Sequence, residues 1–135
     1  MKKINIIGAG LMIMLLIFAG ASYAKGLHVH KKAGSFTVHF QTEKAPFVGE
    51  NPVKVEIEDA NKNMLTDPKI KVKINYSMPA MPGMPAMSYD TEAVLKGKAY
   101  EAMLDLSMSG SWNITIKVLM PEKKPVTAKF TMDAR

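Results

Sequence analysis

Methionines form the most distinctive chemical pattern in this chain. Four of them recur at every third residue in the segment MPAMPGMPAM, which spans positions 78–87. A thioether is a soft ligand that selects Cu(I), and by extension Ag(I), over hard cations such as magnesium and calcium. Because the intervening prolines exclude a regular helix and a central strand, the segment is predicted to be an exposed loop rather than core. The sequence therefore predicts a Cu(I) site with the candidate ligands Met78, Met81, Met84 and Met87.

The centre of this segment has the residues of a type II turn, with Pro82 at position i+1 and Gly83 at i+2. Such a turn brings the Cα atoms of Met81 and Met84 within about 7 Å, whereas a straight polyproline II segment holds successive methionines about 9 Å apart. Met78 and Met87 flank the turn symmetrically and are expected to fold back towards it. Two other interpretations stay open, in which the methionines grip a partner protein without metal or pack over one end of the domain.

A further candidate ligand is Met108, which precedes the turn signal Ser109-Gly110. It can approach the Met segment if both occupy the same end of the domain. For the remaining methionines of the predicted domain, the position in the sequence gives no comparable reason to expect metal binding.

Two histidines near the start of the exported chain are secondary metal candidates. His28 and His30 point to the same side of an extended chain, as a pair of ligands for a divalent ion such as Cu(II) does. Cleavage after Lys25 would place His28 third from the new amino group, where it chelates Cu(II) with backbone nitrogens. The alternative is a mobile, solvated terminus. His39 is predicted to face solvent.

The composition argues against several other functions. The chain has no cysteine, which excludes a disulfide framework, thiol catalysis and a thiolate metal site. Its formal charge is +6, but the lysines are scattered and not interleaved with aromatic residues, so nucleic acid is not an expected partner. No catalytic acid pair or phosphate-binding glycine loop is recognisable, and we expect a protein that is not an enzyme.

The N-terminus is typical of an export signal over residues 1–24. Lys2 and Lys3 precede an apolar run, and Ser22-Tyr23-Ala24 supplies the small residues of a cleavage site. An uncleaved anchor is the alternative, since about 20 uncharged residues can span a bilayer. Either way the body is expected outside the cytoplasm, in the periplasm or the extracellular space. Residues 25–34 are predicted to be a flexible lead-in and 35–135 a single domain.

From residue 35 onward, apolar and polar residues alternate with the period of β-strands that have one buried face. About seven such strands with short turn signals predict an all-β, immunoglobulin-like sandwich without its disulfide. Trp112 lies at an inward position and is expected to be a large core residue.

The order of these features resembles the YtkA-like and FixH-like group of small exported or membrane-anchored bacterial domains. The resemblance rests on the Met-Pro segment 78–87, on GKAYEA at 97–102 and on LSMSGSW at 106–112. It implies an immunoglobulin-like sandwich and a role in copper handling, with a membrane-bound efflux or respiratory-oxidase assembly partner. By position it also implies metal-binding roles for Met78, Met81, Met84, Met87 and Met108, and structural roles for Gly97, Tyr100, Gly110 and Trp112.

Overall fold

The computed structural model of the protein describes residues 26–135. The predicted signal sequence, its alternative as a membrane anchor and the position of cleavage lie outside the described residues. Over residues 26–135, the structure contains no helix with the length and apolar character that a membrane crossing requires.

The described chain is built from antiparallel strands, which confirms the predicted all-β class. There are eight of them rather than about seven: β1 (His28–Ala33), β2 (Phe36–Thr42), β3 (Gly49–Glu58), β4 (Lys71–Met78), β5 (Met87–Lys96), β6 (Ala99–Leu106), β7 (Gly110–Leu119) and β8 (Val126–Ala134).

These strands form a sandwich whose two layers share one strand. The hydrogen-bonded order is β1-β2-β3-β6-β5-β4-β7-β8. Residues 87–93 of β5 pair with β4, whereas residues 94–96 pair with β6, so β5 crosses from one layer to the other. Phe40 of β2 packs against Phe130 of β8 with ring centroids 4.9 Å apart, which closes the core between the layers.

Buried and exposed side chains alternate along the strands, and the buried side chains form the core between the two layers. In β4 the inward residues are Val72, Ile74, Tyr76 and Met78, whereas Lys71 and Lys73 on the opposite face are exposed. Trp112 of β7 is fully buried, as predicted. Burial of such apolar faces is the main favourable term that holds the two layers together.

The predicted flexible lead-in over 25–34 is wrong for most of its length. Residues 28–33 form β1, which pairs along its whole length with β2. Just before it, the Leu27 N–H donates to Thr42 Oγ1 (2.8 Å), and the Thr42 N–H donates to the Leu27 carbonyl (2.9 Å). The segment is held largely by backbone pairing at the edge of the sheet, which requires few apolar side chains.

The antiparallel order brings three connections to one end of the sandwich. The β4–β5 and β6–β7 connections are separated by two strand reversals and therefore lie at the same end. Gly49, the first residue of β3, pairs with Leu106, the last residue of β6, so the β2–β3 connection lies at this end too. We call this end, formed by residues 43–48, 79–86 and 107–109, the Met end.

Candidate metal centre

The Met segment is a hairpin whose turn has the predicted geometry. The Met81 N–H donates to the Met84 carbonyl (3.0 Å), and the Met84 N–H donates to the Met81 carbonyl (2.9 Å). Between them Pro82 and Gly83 form the turn, with Gly83 at a φ of 80°, the value that a type II turn requires at i+2. Met81 and Met84 are therefore direct neighbours across the hairpin, as the sequence predicts.

The first and last methionines of the segment also lie opposite each other. Met78 and Met87 are cross-strand partners at the end of the β4–β5 ladder, in the same register as Met81 and Met84. The four methionines thus form two opposed pairs along one hairpin, rather than a ladder along a polyproline helix.

The two pairs differ sharply in burial. Met78 is only 3% exposed and belongs to the core, so its predicted display in an exposed loop is wrong. The reason is that β4 runs on to Met78, and the proline constraint begins only at the next residue. Met87 is half-buried against the core, while Met81 and Met84 at the tip are 42% and 41% exposed.

Met108 lies at the same end, on the β6–β7 connection, and residues flanking it approach Met78 and Met87. Next to it, the Ser107 hydroxyl donates to Met87 Sδ at 3.6 Å. On its other side, a Cβ at Gly110 would lie 3.3 Å from Met78 Cε. Met108 itself is half-buried against the core. We call Met78, Met87 and Met108 the inner methionines, and Met81 and Met84 the outer pair.

An aromatic cluster supports the inner methionines. The Trp112 indole N–H donates to the Met108 carbonyl at 3.0 Å, which ties the 107–109 connection to the core. Tyr76 stacks on Tyr89 with centroids 5.4 Å apart, and both rings lie about 6 Å from Trp112, at 5.9 and 6.2 Å. Tyr76 and Trp112 belong to the same buried core as Met78, so this cluster connects the core to the connection that carries Met108.

The secondary metal candidates lie elsewhere. His28 and His30 are both exposed on β1 and share one face, as predicted, but their cross-strand partners are Gln41 and His39 respectively. His39 does not simply face solvent, because its ring contacts His30 on one side and Glu58 on the other. Sequence reasoning missed this pairing, since it depends on the β1–β2 register. Among residues 26–135, no group of three or more His, Cys, Asp or Glu side chains converges as a metal site.

A sandwich that presents methionines from two adjoining connections defines a small domain with a candidate soft-metal site at one end. The family model for YtkA-like domains matches residues 30–117, more than half of the chain, and the chain belongs to this family. The matched region includes all five candidate methionines and Trp112. A search of the curated proteins finds no match to this chain.

Proposed function

We propose that this protein binds Cu(I) outside the cytoplasm as a carrier, a buffer or an assembly factor for a copper enzyme, and that it performs no catalysis. Ag(I) is the other ion with matching softness. The observation that supports the proposal is that the residues flanking Met108 approach the Met78–Met87 pair from a separate connection: the Ser107 hydroxyl contacts Met87 Sδ, and Gly110 lies against Met78 Cε.

The inner methionines have the surroundings that suit a retained soft cation. Met87 and Met108 are half-buried, and Met78 is buried, so a bound ion would be partly shielded from water. Thioethers provide polarisable ligands that do not form disulfides, which suits an oxidising compartment. Their flexible side chains adjust to an ion with little movement of the backbone.

The outer pair has the exposure that uptake and release require. Met81 and Met84 stand at the hairpin tip, close enough in the backbone for both thioethers to meet one ion. A carrier must pass its ion to a partner, and ligands on an exposed connection of a rigid scaffold are accessible for that exchange. In this proposal the outer pair captures the ion and the inner methionines hold it.

The test is a Cu(I) titration in competition with a chromophoric chelator, on protein purified from cells that express the full chain. Met87→Leu with Met108→Leu removes two inner sulfurs at nearly constant volume, a kind of change that cores tolerate. We expect the affinity to fall by at least about tenfold, or about 1.4 kcal/mol. Met81→Leu with Met84→Leu should slow transfer to the chelator more than it lowers affinity. Met103→Leu is the matched control, because this methionine is exposed on β6 and belongs to neither group.

Unchanged Cu(I) affinity in the inner double variant, with its fold intact, would refute the assignment of the inner methionines. If neither double variant changes Cu(I) binding, the proposal of a thioether site fails as a whole. Loss of binding in the Met103→Leu control would show that the readout does not report a specific site.

A second function is favoured by the other exposed apolar residues at the Met end. Phe47 and Val48, on the β2–β3 connection, are exposed at the same end as the outer pair. A metal-independent module that docks on a membrane-bound or assembly partner would use this combined apolar surface. Met81→Leu and Met84→Leu would then preserve partner capture, whereas Met→Ser at both positions would abolish it, because apolar area rather than sulfur is required.

A further inference from the structure

A cluster of two histidines and a glutamate lies on the outer face of the layer formed by β1, β2 and β3. His30 and His39 are direct partners in the β1–β2 register and so project from the same face. Their Nδ1 atoms are 2.5 Å apart, with the rings nearly perpendicular at 89°. This cluster is separate from the five candidate methionines, which lie at the Met end or on the strands that border it.

Glu58 of β3 orients the ring of His39. His39 Nε2 lies 2.8 Å from Glu58 Oε2, and an N–H at Nε2 is the donor that a carboxylate requires. In the neutral ring this leaves the Nδ1 lone pair free to accept from His30 or to bind a cation. Histidines that bind metals usually donate their second N–H to a carboxylate, which sets the tautomer and raises the basicity of the ligand.

The spacing of the two nitrogens suits a pair of adjacent metal ligands. With metal–nitrogen bonds of about 2.0–2.1 Å, two ligands at a right angle lie about 2.9 Å apart. The two Nδ1 atoms already lie in contact, and a rotation of the His30 ring, which is exposed on an edge strand, would open them to this spacing. His30 shifts its proton from Nδ1 to Nε2 when it becomes a ligand.

We propose that His30 and His39, with Glu58 behind His39, form a second metal site that binds Cu(II). Imidazole is a favoured ligand of Cu(II), which is the tightest binder among the divalent first-row metals and prefers square-planar nitrogen and oxygen sites. Two histidines occupy adjacent corners of such a square, and water completes it. The ligand pair is therefore His30 with His39, rather than His28 with His30. This inference does not depend on the Cu(I) proposal, because no thioether takes part.

The test is a titration with copper(II) sulfate of protein purified from cells that express the full chain and stripped of metal with a chelator. We expect one Cu(II) ion per chain and an electron paramagnetic resonance spectrum with coupling to two imidazole nitrogens. His30→Gln and His39→Gln should each weaken binding by at least tenfold. Glu58→Gln should weaken it by about 10- to 100-fold while the nitrogen coupling remains, since the carboxylate positions a ligand without being one.

His28→Gln is the matched control, because His28 is exposed on the same face of the same strand. It should leave Cu(II) affinity within twofold of the parent. The proposal is overturned if the parent binds no Cu(II) stoichiometrically, or if His28→Gln removes the signal while His39→Gln retains it. Because the His39 side chain is only 23% exposed, its substitution can affect stability, and a thermal melt of each variant checks that the fold is intact. His30 is exposed, so His30→Gln removes a ligand of the same site with little effect on packing. The Met87→Leu, Met108→Leu variant should keep full Cu(II) binding, which separates failure of this proposal from failure of the thioether site.

Discussion

Gly110→Ala is the substitution that most directly tests how the β6–β7 connection packs on Met78. Gly110 has a φ of 127°, in a region that residues with a Cβ rarely adopt. A Cβ at this position would also lie 3.3 Å from Met78 Cε, which is closer than an ordinary carbon contact. The substitution therefore strains the backbone and pushes on one of the inner methionines.

The expected loss of stability follows from these two effects. Backbone strain of this kind costs about 1–3 kcal/mol. The side-chain contact adds little, because the methyl end of Met78 can rotate away. For a domain of this size, 1 kcal/mol lowers the Tm by about 4 °C, so the total decrease should be about 4–12 °C.

Gly83→Ala provides the matched control for this prediction. Gly83 also has a positive φ, 80°, but a Cβ there would meet no atom within 4 Å. Both variants should have a lower Tm in a thermal melt followed by circular dichroism, whereas only Gly110→Ala should weaken Cu(I) binding in the chelator competition. Equal Cu(I) affinities in Gly110→Ala and the parent would refute the argument that Cu(I) binding depends on the packing of Met78 against the 107–110 segment.

Two further predictions concern the rest of the fold. Tyr100 is buried and donates to the Asp67 carbonyl (3.0 Å), and burial raises its pKa above the ordinary 10.0. The unfolded chain therefore ionises first above pH 10, so the free energy of unfolding should fall as pH rises from about 10 towards the folded-state pKa, and Tyr100→Phe should remove this dependence in alkaline urea titrations. Asn51 is buried, accepts from the Phe47 N–H (3.1 Å) and donates to the carbonyls of Phe47 (2.8 Å) and Gly49 (2.9 Å). Asn51→Ala leaves these groups unpaired and should cost about 2–4 kcal/mol, and a loss below 1 kcal/mol in urea unfolding would contradict this role.

The burial of Met78 could have been predicted from the sequence. Val72, Ile74 and Tyr76 alternate inward, and Met78 is the next residue of that series. Proline excludes a central strand only from position 79 onward. The regular spacing of the four methionines suggests four equivalent ligands. However, the alternation of β4 determines the orientation of Met78, whereas the prolines determine the conformation from residue 79 onward.

The edge strand β1 could not be predicted in the same way. Its sequence, HVHKKA, has one large apolar residue, and four of its six side chains are exposed. Such a strand is held by backbone hydrogen bonds to β2, and these bonds leave no pattern in the side chains. The pairing of His30 with His39 depends on this register, because a shift by one residue would turn one of the two rings to the opposite face.

The position of Met108 depends on strand topology. The sequence therefore predicts which end of the domain carries Met108, but it does not predict that the two connections are adjacent. In a series of antiparallel strands every second connection lies at the same end, so counting strands from the Met hairpin to Ser109-Gly110 predicts that the two turns share an end. Two turns at one end can still lie at opposite sides of a sandwich. Here β5 crosses between the layers, and β4 pairs with both β5 and β7, so the strand that ends in Met78 lies directly beside the strand that begins at Gly110. The two connections are therefore adjacent because of strand order, which residue spacing alone does not specify.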